Sequence, residues 1–384
     1  MSSKVVVFGA GATGRGHVGL LAYQGGFEIV FVDKDADLVR TLRDSGRYGV
    51  KLYGNGGEEI EVGGYRVYHA HDREAIARQI TDARLVLTAV FDQNLPDVAR
   101  TLALAVVACR RAGRCEPLNC LACENMMDSS STLGKHVRSL LSGDDLDYGE
   151  EHFGFPDCMI SRVVPRPEPD PLMILTEDYN EWTARAEDFK GPKPGPLASL
   201  ELVDNQTARL ERKLMIHNGG HAICGYFGFH RGHEYVHRAL ADPVVTEHVL
   251  GALDEIGEVV RRKHRFSAES IDAYKADLGR RGAIAELRDR ILRVVRDPIR
   301  KLSARERLVA PAMLAVQYGL PREWIVKGIV AALKYRHADD DQSLWLAERL
   351  TRKGLASVLD EVCSIDGKSP LAEEIADAWS EWKG

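Results

Sequence analysis

Two contrasting halves of the sequence predict the fold class, an α/β domain followed by a mostly α-helical domain. The first half alternates short apolar runs of strand type with helical patterns, as parallel sheets covered by helices do. From residue 196 the apolar residues recur with a helical period nearly to the end. A chain of 384 residues is also too long for one ordinary core. We therefore predict two domains, 1–195 and 196–384, divided at the Pro- and Gly-rich stretch 190–196.

The first apolar run leads directly into a glycine motif. Residues 4–8 are typical of a buried parallel strand, and Gly9-Ala10-Gly11-Ala12-Thr13-Gly14 follows at once. A helical pattern and a second strand, which ends at Asp33, complete the unit. Strand, glycines, helix, strand and terminal acid in this order are typical of a Rossmann-type dinucleotide-binding domain, in which the helix N-terminus faces the pyrophosphate.

The same pattern indicates which residues hold the cofactor. The glycines allow a tight turn and close approach of the pyrophosphate, and Asp33 is placed to accept hydrogen bonds from the adenosine ribose. An acid there repels a 2′-phosphate, so we expect NAD rather than NADP, although the neighbouring Lys34 softens the repulsion. Ligands of open α/β sheets bind beyond the carboxyl ends of the strands, which adds the end of the apolar run 85–90. The predicted cofactor contacts are Gly9, Gly11, Thr13, Gly14, Asp33, Thr88 and Ala89.

Two further features belong to the α/β half. The runs 48–53, 58–62 and 65–68 are separated by glycine-rich turns, which predicts a small antiparallel meander inserted in the α/β pattern. Asn125 follows the strand-like run 118–122, so it is expected at a carboxyl strand end, within reach of substrate or nicotinamide. A turn role is the alternative for an asparagine at this position.

The helical half contains one concentration of polar groups, between Lys213 and His221. On an α-helix, Lys213, His217 and His221 fall within roughly 80° of one another, and Asn218 widens the arc to roughly 140°. Burial lowers the pKa of a lysine, as a general base requires. The alternative is a snorkelling lysine with two satisfied core histidines. Gly219-Gly220 indicates either a break in the helix or a close approach of substrate.

Composition excludes several classes of protein. The net charge is −6 and no basic block is present, which argues against nucleic acid as a partner. No apolar run is long enough to span a bilayer, and no secretory signal precedes the first strand, so we expect a cytoplasmic protein without a membrane partner. The seven cysteines are scattered through apolar segments, as reduced thiols are, and the single CxxC at 120–123 lacks a second pair.

Taken together, these motifs resemble the polyol-specific long-chain dehydrogenase/reductase family over essentially the whole chain. The similarity lies in FGAGxxGRG at the start and in ACENM, ERKL, GHA, RKLS and YGLP further on, that is, in residues 8–16, 122–126, 211–214, 220–222, 300–303 and 318–321. The spacing Lys213-x4-Asn218-x2-His221 matches the catalytic signature of the family.

The resemblance implies a metal-free oxidation of an alcohol, with NAD as the cofactor. Lys213 would be the general base, Asn218 and Asn125 would donate hydrogen bonds to the developing alkoxide, and His221 would position the base or a substrate hydroxyl. A cleft between the two domains is the expected reaction site. Family members of this size also suggest a monomer, with a homodimer as the alternative.

The resemblance also implies a sugar alcohol phosphate as the substrate, with interconversion of mannitol 1-phosphate and fructose 6-phosphate as the leading hypothesis. Its phosphate would bind Arg300, Lys301 and Arg336, each of which has a surface salt bridge as its alternative role. Two positions depart from the family pattern: Ser161 stands where an acid is usual before the arginine, and Phe91 stands where a small residue is usual. They leave open another polyol, another polyol phosphate or a hexuronate.

Two different classes of function remain as alternatives. His217 and His221 at i,i+4, with three histidines close behind, have a spacing that can chelate zinc, as in a hydrolase or lyase. The chain has no HExxH, however, and this hypothesis leaves the glycine motif unused. The second alternative is an NAD-binding sensor without catalysis, although Lys213 and Asn218 are both present.

Overall fold

The chain divides into two compact units, Met1–Leu210 and Glu211–Gly384, in a computed structural model. The structure describes residues 3–54, 57–165, 169–193, 197 and 199–382. The predicted boundary between 195 and 196 therefore lies outside the described residues. In the described parts of the chain, every helix is too short or too polar to cross a lipid bilayer.

The first unit is built on a six-stranded parallel sheet with two three-stranded sheets beside it. The strands are β1 Lys4–Phe8, β2 Glu28–Asp33, β3 Arg47–Tyr53, β4 Glu58–Gly63, β5 Arg66–His69, β6 Ala83–Thr88, β7 Leu118–Ala122, β8 Phe153–Gly154, β9 Cys158–Ser161, β10 Met173–Glu177, β11 Glu181–Arg185 and β12 Leu200–Val203. The large sheet has the order β5-β2-β1-β6-β7-β8. This is the doubly wound order, in which successive strands are added on one side of β1 and then, from β6 onwards, on the other side.

Helices cover both faces of the large sheet. They are α1 Leu20–Gln24, α2 Ala36–Ser45, α3 Arg73–Ile80, α4 Leu95–Arg111, α5 Ser129–Arg138 and α6 Gly143–His152, and α1 continues a π-helical turn at Gly14–Gly19. A further helix, α7 Gln206–Arg212, spans the division between the two units. Strand β1 shows why both faces need cover, because all five of its residues are buried. Val5 and Val7 belong to one apolar core, while Val6 and Phe8 belong to the other. The predicted buried strand and the Rossmann-type domain are confirmed.

The predicted meander is wrong in its third strand. Strands β3 and β4 do form an antiparallel pair. Strand β5, however, pairs in parallel with β2 in the large sheet, and β10 takes the place beside β3. Pairing with β2 lets Val67 join the apolar core of the first unit. A distant strand thus overrides the local hairpin pattern.

The second unit is helical around one apolar core. Its helices are α8 Asn218–His230, α9 Val236–Leu240, α10 Pro243–His264, α11 Ala268–Gly282, α12 Ile291–Val295, α13 Pro298–Lys301, α14 Val309–Tyr318, α15 Glu323–Lys334, α16 Asp341–Cys363 and α17 Pro370–Glu381. The predicted helical domain is confirmed. One departure lies at the end of the first unit, where Leu200–Val203 form strand β12 on β11 instead of the start of a helix. Leu200 is buried and Glu201 is exposed, as expected for a strand, in which successive side chains point to opposite faces of the sheet.

Candidate active site

The glycine motif forms a close-packed turn between β1 and the first helix. Gly9 has φ +93° and lies so near β6 that a Cβ would stand 2.2 Å from the carbonyl oxygen of Ala89. A Cβ on Gly14 would stand within van der Waals overlap of the Gly9 carbonyl. A Cβ on Gly11, by contrast, would meet nothing within 4 Å. The turn is therefore tightly packed at Gly9 and Gly14 and leaves open space at Gly11. In this motif, Gly11 is the position where a pyrophosphate approaches the backbone.

Asp33 is held against this turn. Its Oδ2 accepts a hydrogen bond of 2.6 Å from the Ala10 N–H, and its Oδ1 accepts one of 2.9 Å from the Asp35 N–H. Each carboxylate oxygen keeps a second lone pair, so the carboxylate can still accept hydrogen bonds from ligand hydroxyls. The neighbouring Lys34 donates a hydrogen bond of 3.0 Å to the Asn94 side chain. The predicted cofactor residues thus lie at one edge of the sheet, with geometry suited to a dinucleotide.

Glu124 organises the loop that follows β6. Its Oε1 accepts hydrogen bonds from the Thr88 hydroxyl at 2.8 Å and the Val90 N–H at 2.9 Å. Its Oε2 accepts one of 2.9 Å from the Phe91 N–H. Burial raises the pKa of Glu124, and these three bonds oppose that rise. Glu124 therefore fixes the loop that contains the predicted contacts Thr88 and Ala89.

Asn125 follows β7 at the carboxyl edge of the same sheet and is exposed. The end of β7 is held by the start of α5, because Ser129 Oγ donates to the Ala122 carbonyl and Ser130 Oγ accepts from the Ala122 N–H. The strand end is thus fixed, and the asparagine side chain lies beyond it as predicted from the strand pattern.

In the second unit, Lys213 begins a π-helical turn rather than an α-helical one. The turn spans Lys213–His217, and the Asn218 N–H donates to the Lys213 carbonyl, five residues back. This wider turn brings Lys213 and Asn218 closer to one face of the helix than an α-helix would, in which five residues leave them roughly 140° apart around the axis. Single π turns inside α-helices are frequent at functional sites. Lys213 is half-buried and Asn218 is buried, so both face partly inward.

The glycine pair does not break the helix. Gly219 and Gly220 lie inside α8, where a Cβ would stand 3.0 Å from the Arg307 carbonyl oxygen and 2.8 Å from Leu253 Cδ2, respectively. They allow neighbouring segments to pack closely against the stretch from Lys213 to His221. Of the two roles that the sequence left open for this pair, a break in the helix is excluded, and the irregularity lies one turn earlier.

The two histidines of this stretch have different environments. His217 is buried, and its pKa is held well below the usual value by desolvation and then by Arg281, His221, Lys213 and Arg307. His221 Nε2 lies 3.1 Å from Asp289 Oδ2, and Arg293 binds the same carboxylate with bonds of 2.6 and 2.7 Å. His217 is therefore neutral, while a carboxylate orients His221.

Three cations gather beside this stretch, Arg300, Lys301 and Arg307. Lys301 is 4% exposed, and burial, followed by the charges of Arg307 and Arg300, lowers its pKa from 10.5 to about 7. Glu306 pairs with Arg307 at 2.9 Å and lies 3.7 Å from Arg300. Arg307 is 6% exposed, and its Nη2 has no hydrogen-bond partner among the described residues. Glu306 lies near both arginines, and Asp297 and Glu306 both act electrostatically on Lys301, so three basic side chains face two carboxylates and keep one excess positive charge when Lys301 is protonated.

Arg336 has different contacts. Its guanidinium donates to the carbonyl oxygens of Leu333 and Tyr335 at 2.7 and 2.5 Å. Its charge helps to lower the pKa of His230, after the larger effect of desolvation. The structure thus groups Arg300 and Lys301 with Arg307, which was not among the predicted phosphate residues, and gives Arg336 a role at the end of α15.

Sequence reasoning missed Asp289 and Glu124 as supports of the site. Asp289 is 68 residues from its partner His221, so no local pattern indicates the pair. Glu124 lies inside the ACENM motif, and its position at a strand end was the available signal. Within the described residues, no group of three or more His, Cys, Asp or Glu side chains is arranged to hold a metal ion. The Sγ atoms of Cys123 and Cys158 lie 3.8 Å apart.

Comparison with known proteins gives the family. The mannitol dehydrogenase Rossmann domain matches residues 3–195, and the mannitol dehydrogenase C-terminal domain matches residues 207–383. The fold is similar to Pseudomonas fluorescens mannitol 2-dehydrogenase, solved as a ternary complex with NAD and D-mannitol, with 18% identity, a TM-score of 0.79 and coverage of 99% of this chain and 91% of that one. It is also similar to a D-sorbitol dehydrogenase in substrate-free form, with 17% identity, a TM-score of 0.82 and coverage of 99% and 92%. The protein belongs to the mannitol dehydrogenase family, whose members are polyol dehydrogenases.

Proposed function

We propose that the protein is an NAD-dependent polyol phosphate dehydrogenase that interconverts mannitol 1-phosphate and fructose 6-phosphate, as mannitol-1-phosphate 5-dehydrogenases do. The observation that carries the phosphate assignment is the group Arg300, Lys301 and Arg307, whose three basic side chains face only the carboxylates of Glu306 and Asp297 among their described charge partners. The charge of Arg307 also contributes to the lowered pKa of His217, which belongs to the turn that begins at Lys213. A phosphate here would lie close to the predicted general base.

The first unit supports NAD as the cofactor. The open space at Gly11 and the lone pairs of Asp33 suit a pyrophosphate and an adenosine ribose. If bound there, NAD would supply the hydride acceptor for oxidation of the carbinol carbon. An acid at Asp33 disfavours a 2′-phosphate, which supports NAD over NADP.

The protein side chains handle the proton and the charge on oxygen. Lys213 takes the hydroxyl proton as the C–H bond gives up its hydride, so the carbinol becomes a carbonyl. Asn218, which the π turn brings towards the face of Lys213, donates a hydrogen bond to the oxygen as it becomes negative. Asn125 is proposed as the second donor. His221, oriented by Asp289, positions a substrate hydroxyl or the base.

Oxidation of a free polyol by the same residues is the second candidate. It is supported by the structural similarity to mannitol 2-dehydrogenase and sorbitol dehydrogenase. The alternatives of another polyol phosphate and of a hexuronate keep the same chemistry.

A substrate panel separates these candidates. NADH formation is measured at 340 nm with mannitol, sorbitol, their phosphates and a hexonate, using protein dialysed against a chelator. We expect the highest kcat/KM for mannitol 1-phosphate. If free mannitol reaches the same kcat/KM, the phosphate assignment is wrong. Activity lost on chelation and restored by zinc would instead support a metal enzyme, and NADH binding without turnover of any polyol would support a sensor.

A further inference from the structure

Phe91 combines a strained backbone with an exposed aromatic ring. Its φ of 67° and ψ of 148° lie in a region that is close to exclusive to glycine. Its side chain is 70% exposed, so burial of the ring does not compensate for the strain. Strained residues of this kind cluster at functional sites, where the surrounding structure holds them in place. The ring therefore calls for a functional explanation.

The strain is imposed by Glu124 from the neighbouring strand end. Its carboxylate accepts the N–H groups of Val90 and Phe91 at 2.9 Å, together with the Thr88 hydroxyl. Glu124 is itself buried, so it holds the backbone from within the domain. The position of the ring is thus set by backbone hydrogen bonds and leaves most of its surface exposed to a ligand.

The loop of Phe91 is tied to the adenosine side of the sheet. The Asn94 side-chain amide donates a hydrogen bond to the Val90 carbonyl. Its Oδ1 accepts a hydrogen bond of 3.0 Å from the Lys34 ammonium. Lys34 directly follows Asp33, the residue suited to the adenosine ribose. At the other end of the loop, Ala89 packs on Gly9 of the pyrophosphate turn. Phe91 is therefore carried by a loop that borders the dinucleotide site from the pyrophosphate turn to the ribose acid.

We infer that the ring of Phe91 is the surface on which the adenine base of the bound dinucleotide stacks. This inference rests on the proposed use of NAD. A flat aromatic side chain offers a π face to the base, and burial of that face on binding would use the exposed ring. Phe91 would then contribute to affinity for the adenosine half of the cofactor, in a chain position where the family pattern has a small residue.

Fragments of the cofactor test this contact. Phe91→Ala removes the ring but keeps a Cβ, and therefore the backbone strain, whereas Phe91→Trp keeps an aromatic face. Dissociation constants for NADH, ADP-ribose and reduced nicotinamide mononucleotide are measured by titration calorimetry or fluorescence. We expect Phe91→Ala to raise the dissociation constants of NADH and ADP-ribose by a similar factor, roughly 5- to 150-fold. Binding of the mononucleotide should not change, and Phe91→Trp should recover most of the lost affinity.

Two outcomes would overturn the inference, and they are distinguishable. If wild-type protein binds NADH but Phe91→Ala binds ADP-ribose as tightly as wild type, the adenine contact is wrong and the cofactor assignment stands. If wild-type protein binds neither NADH nor ADP-ribose, both the contact and the proposed cofactor are wrong. Circular dichroism and urea denaturation of each variant show that an affinity change does not come from unfolding.

Discussion

Lys301 provides the most demanding test of the phosphate subsite, because its charge is costly to bury. The side chain is 4% exposed, and its pKa falls from 10.5 to about 7. At about 1.36 kcal/mol per pKa unit, this interval makes the charged form a destabilising contribution of roughly 5 kcal/mol. Replacement of Lys301 by Met keeps the aliphatic length and removes the titration.

The sign of the pH effect follows from proton binding. Between pH 7 and 10.5 the unfolded chain keeps the proton of Lys301 while the folded protein releases it, so the stability of the wild type rises with pH in this window. Between pH 7 and 9, integration over a folded pKa of about 7 gives a rise of roughly 2 kcal/mol relative to Lys301→Met. Other titrating groups are common to both proteins and cancel in the comparison.

Urea denaturation at pH 7 and pH 9 measures this difference directly. Lys353→Met serves as the control, because the Lys353 side chain is 46% exposed and its removal takes no charge out of the core. For Lys301→Met, we expect the difference in free energy of unfolding from the wild type to change between the two pH values. For the control, we expect this difference to stay the same. Lys301→Met should also raise KM for mannitol 1-phosphate by roughly 10- to 100-fold, the value of a hydrogen bond to a charged group, and leave KM for NAD unchanged. If the difference in free energy of unfolding between the wild type and Lys301→Met is equal at both pH values, the reasoning is refuted.

Two further substitutions test the supports of the site. Asp289→Asn should lower the free energy of unfolding by about 1–3 kcal/mol in urea titrations at pH 7, because the carboxylate accepts charged hydrogen bonds from Arg293 and a bond from His221. The pKa of Asp289 is well below its usual 3.8, so this loss should shrink as the pH falls below 3.8 towards the folded pKa, and a loss that stays constant down to pH 2 would contradict the pairing. Phe91→Gly should raise the free energy of unfolding by about 1–2 kcal/mol, since it removes strain of about 1–3 kcal/mol and adds up to about 1 kcal/mol of unfolded-state entropy. Unchanged or lower stability of Phe91→Gly would show that the backbone of Phe91 is relaxed.

Local chemistry made the cofactor half of the site predictable. The apolar run, the glycine spacing and Asp33 are close together in the sequence. Together they form the local pattern by which a βαβ unit binds a dinucleotide. The structure adds that Gly9 and Gly14 are required by contacts of their own, while Gly11 borders open space. The second half was predictable as helical because its apolar period is regular over long segments.

The remaining features depend on distant contacts. The π turn at Lys213 has no marker in the helical period. For the glycine pair the sequence left a helix break and a close approach of substrate open, whereas in the structure the pair packs against Arg307 and Leu253. Strand β5 left the predicted meander because β2 offered a partner from elsewhere in the chain. The pairing of His221 with Asp289 and the strain at Phe91 likewise follow from tertiary hydrogen bonds that no local pattern contains.

The catalytic assignment of Lys213 is tested most directly by its removal. With NAD and mannitol 1-phosphate, Lys213→Ala should reduce kcat by about 10²- to 10⁴-fold, the contribution of a positioned general base. The dissociation constant for NADH should stay close to that of the wild type, and Lys353→Ala, the exposed-lysine control, should retain normal kcat. Near-normal turnover by Lys213→Ala, with NADH binding intact, would contradict the account.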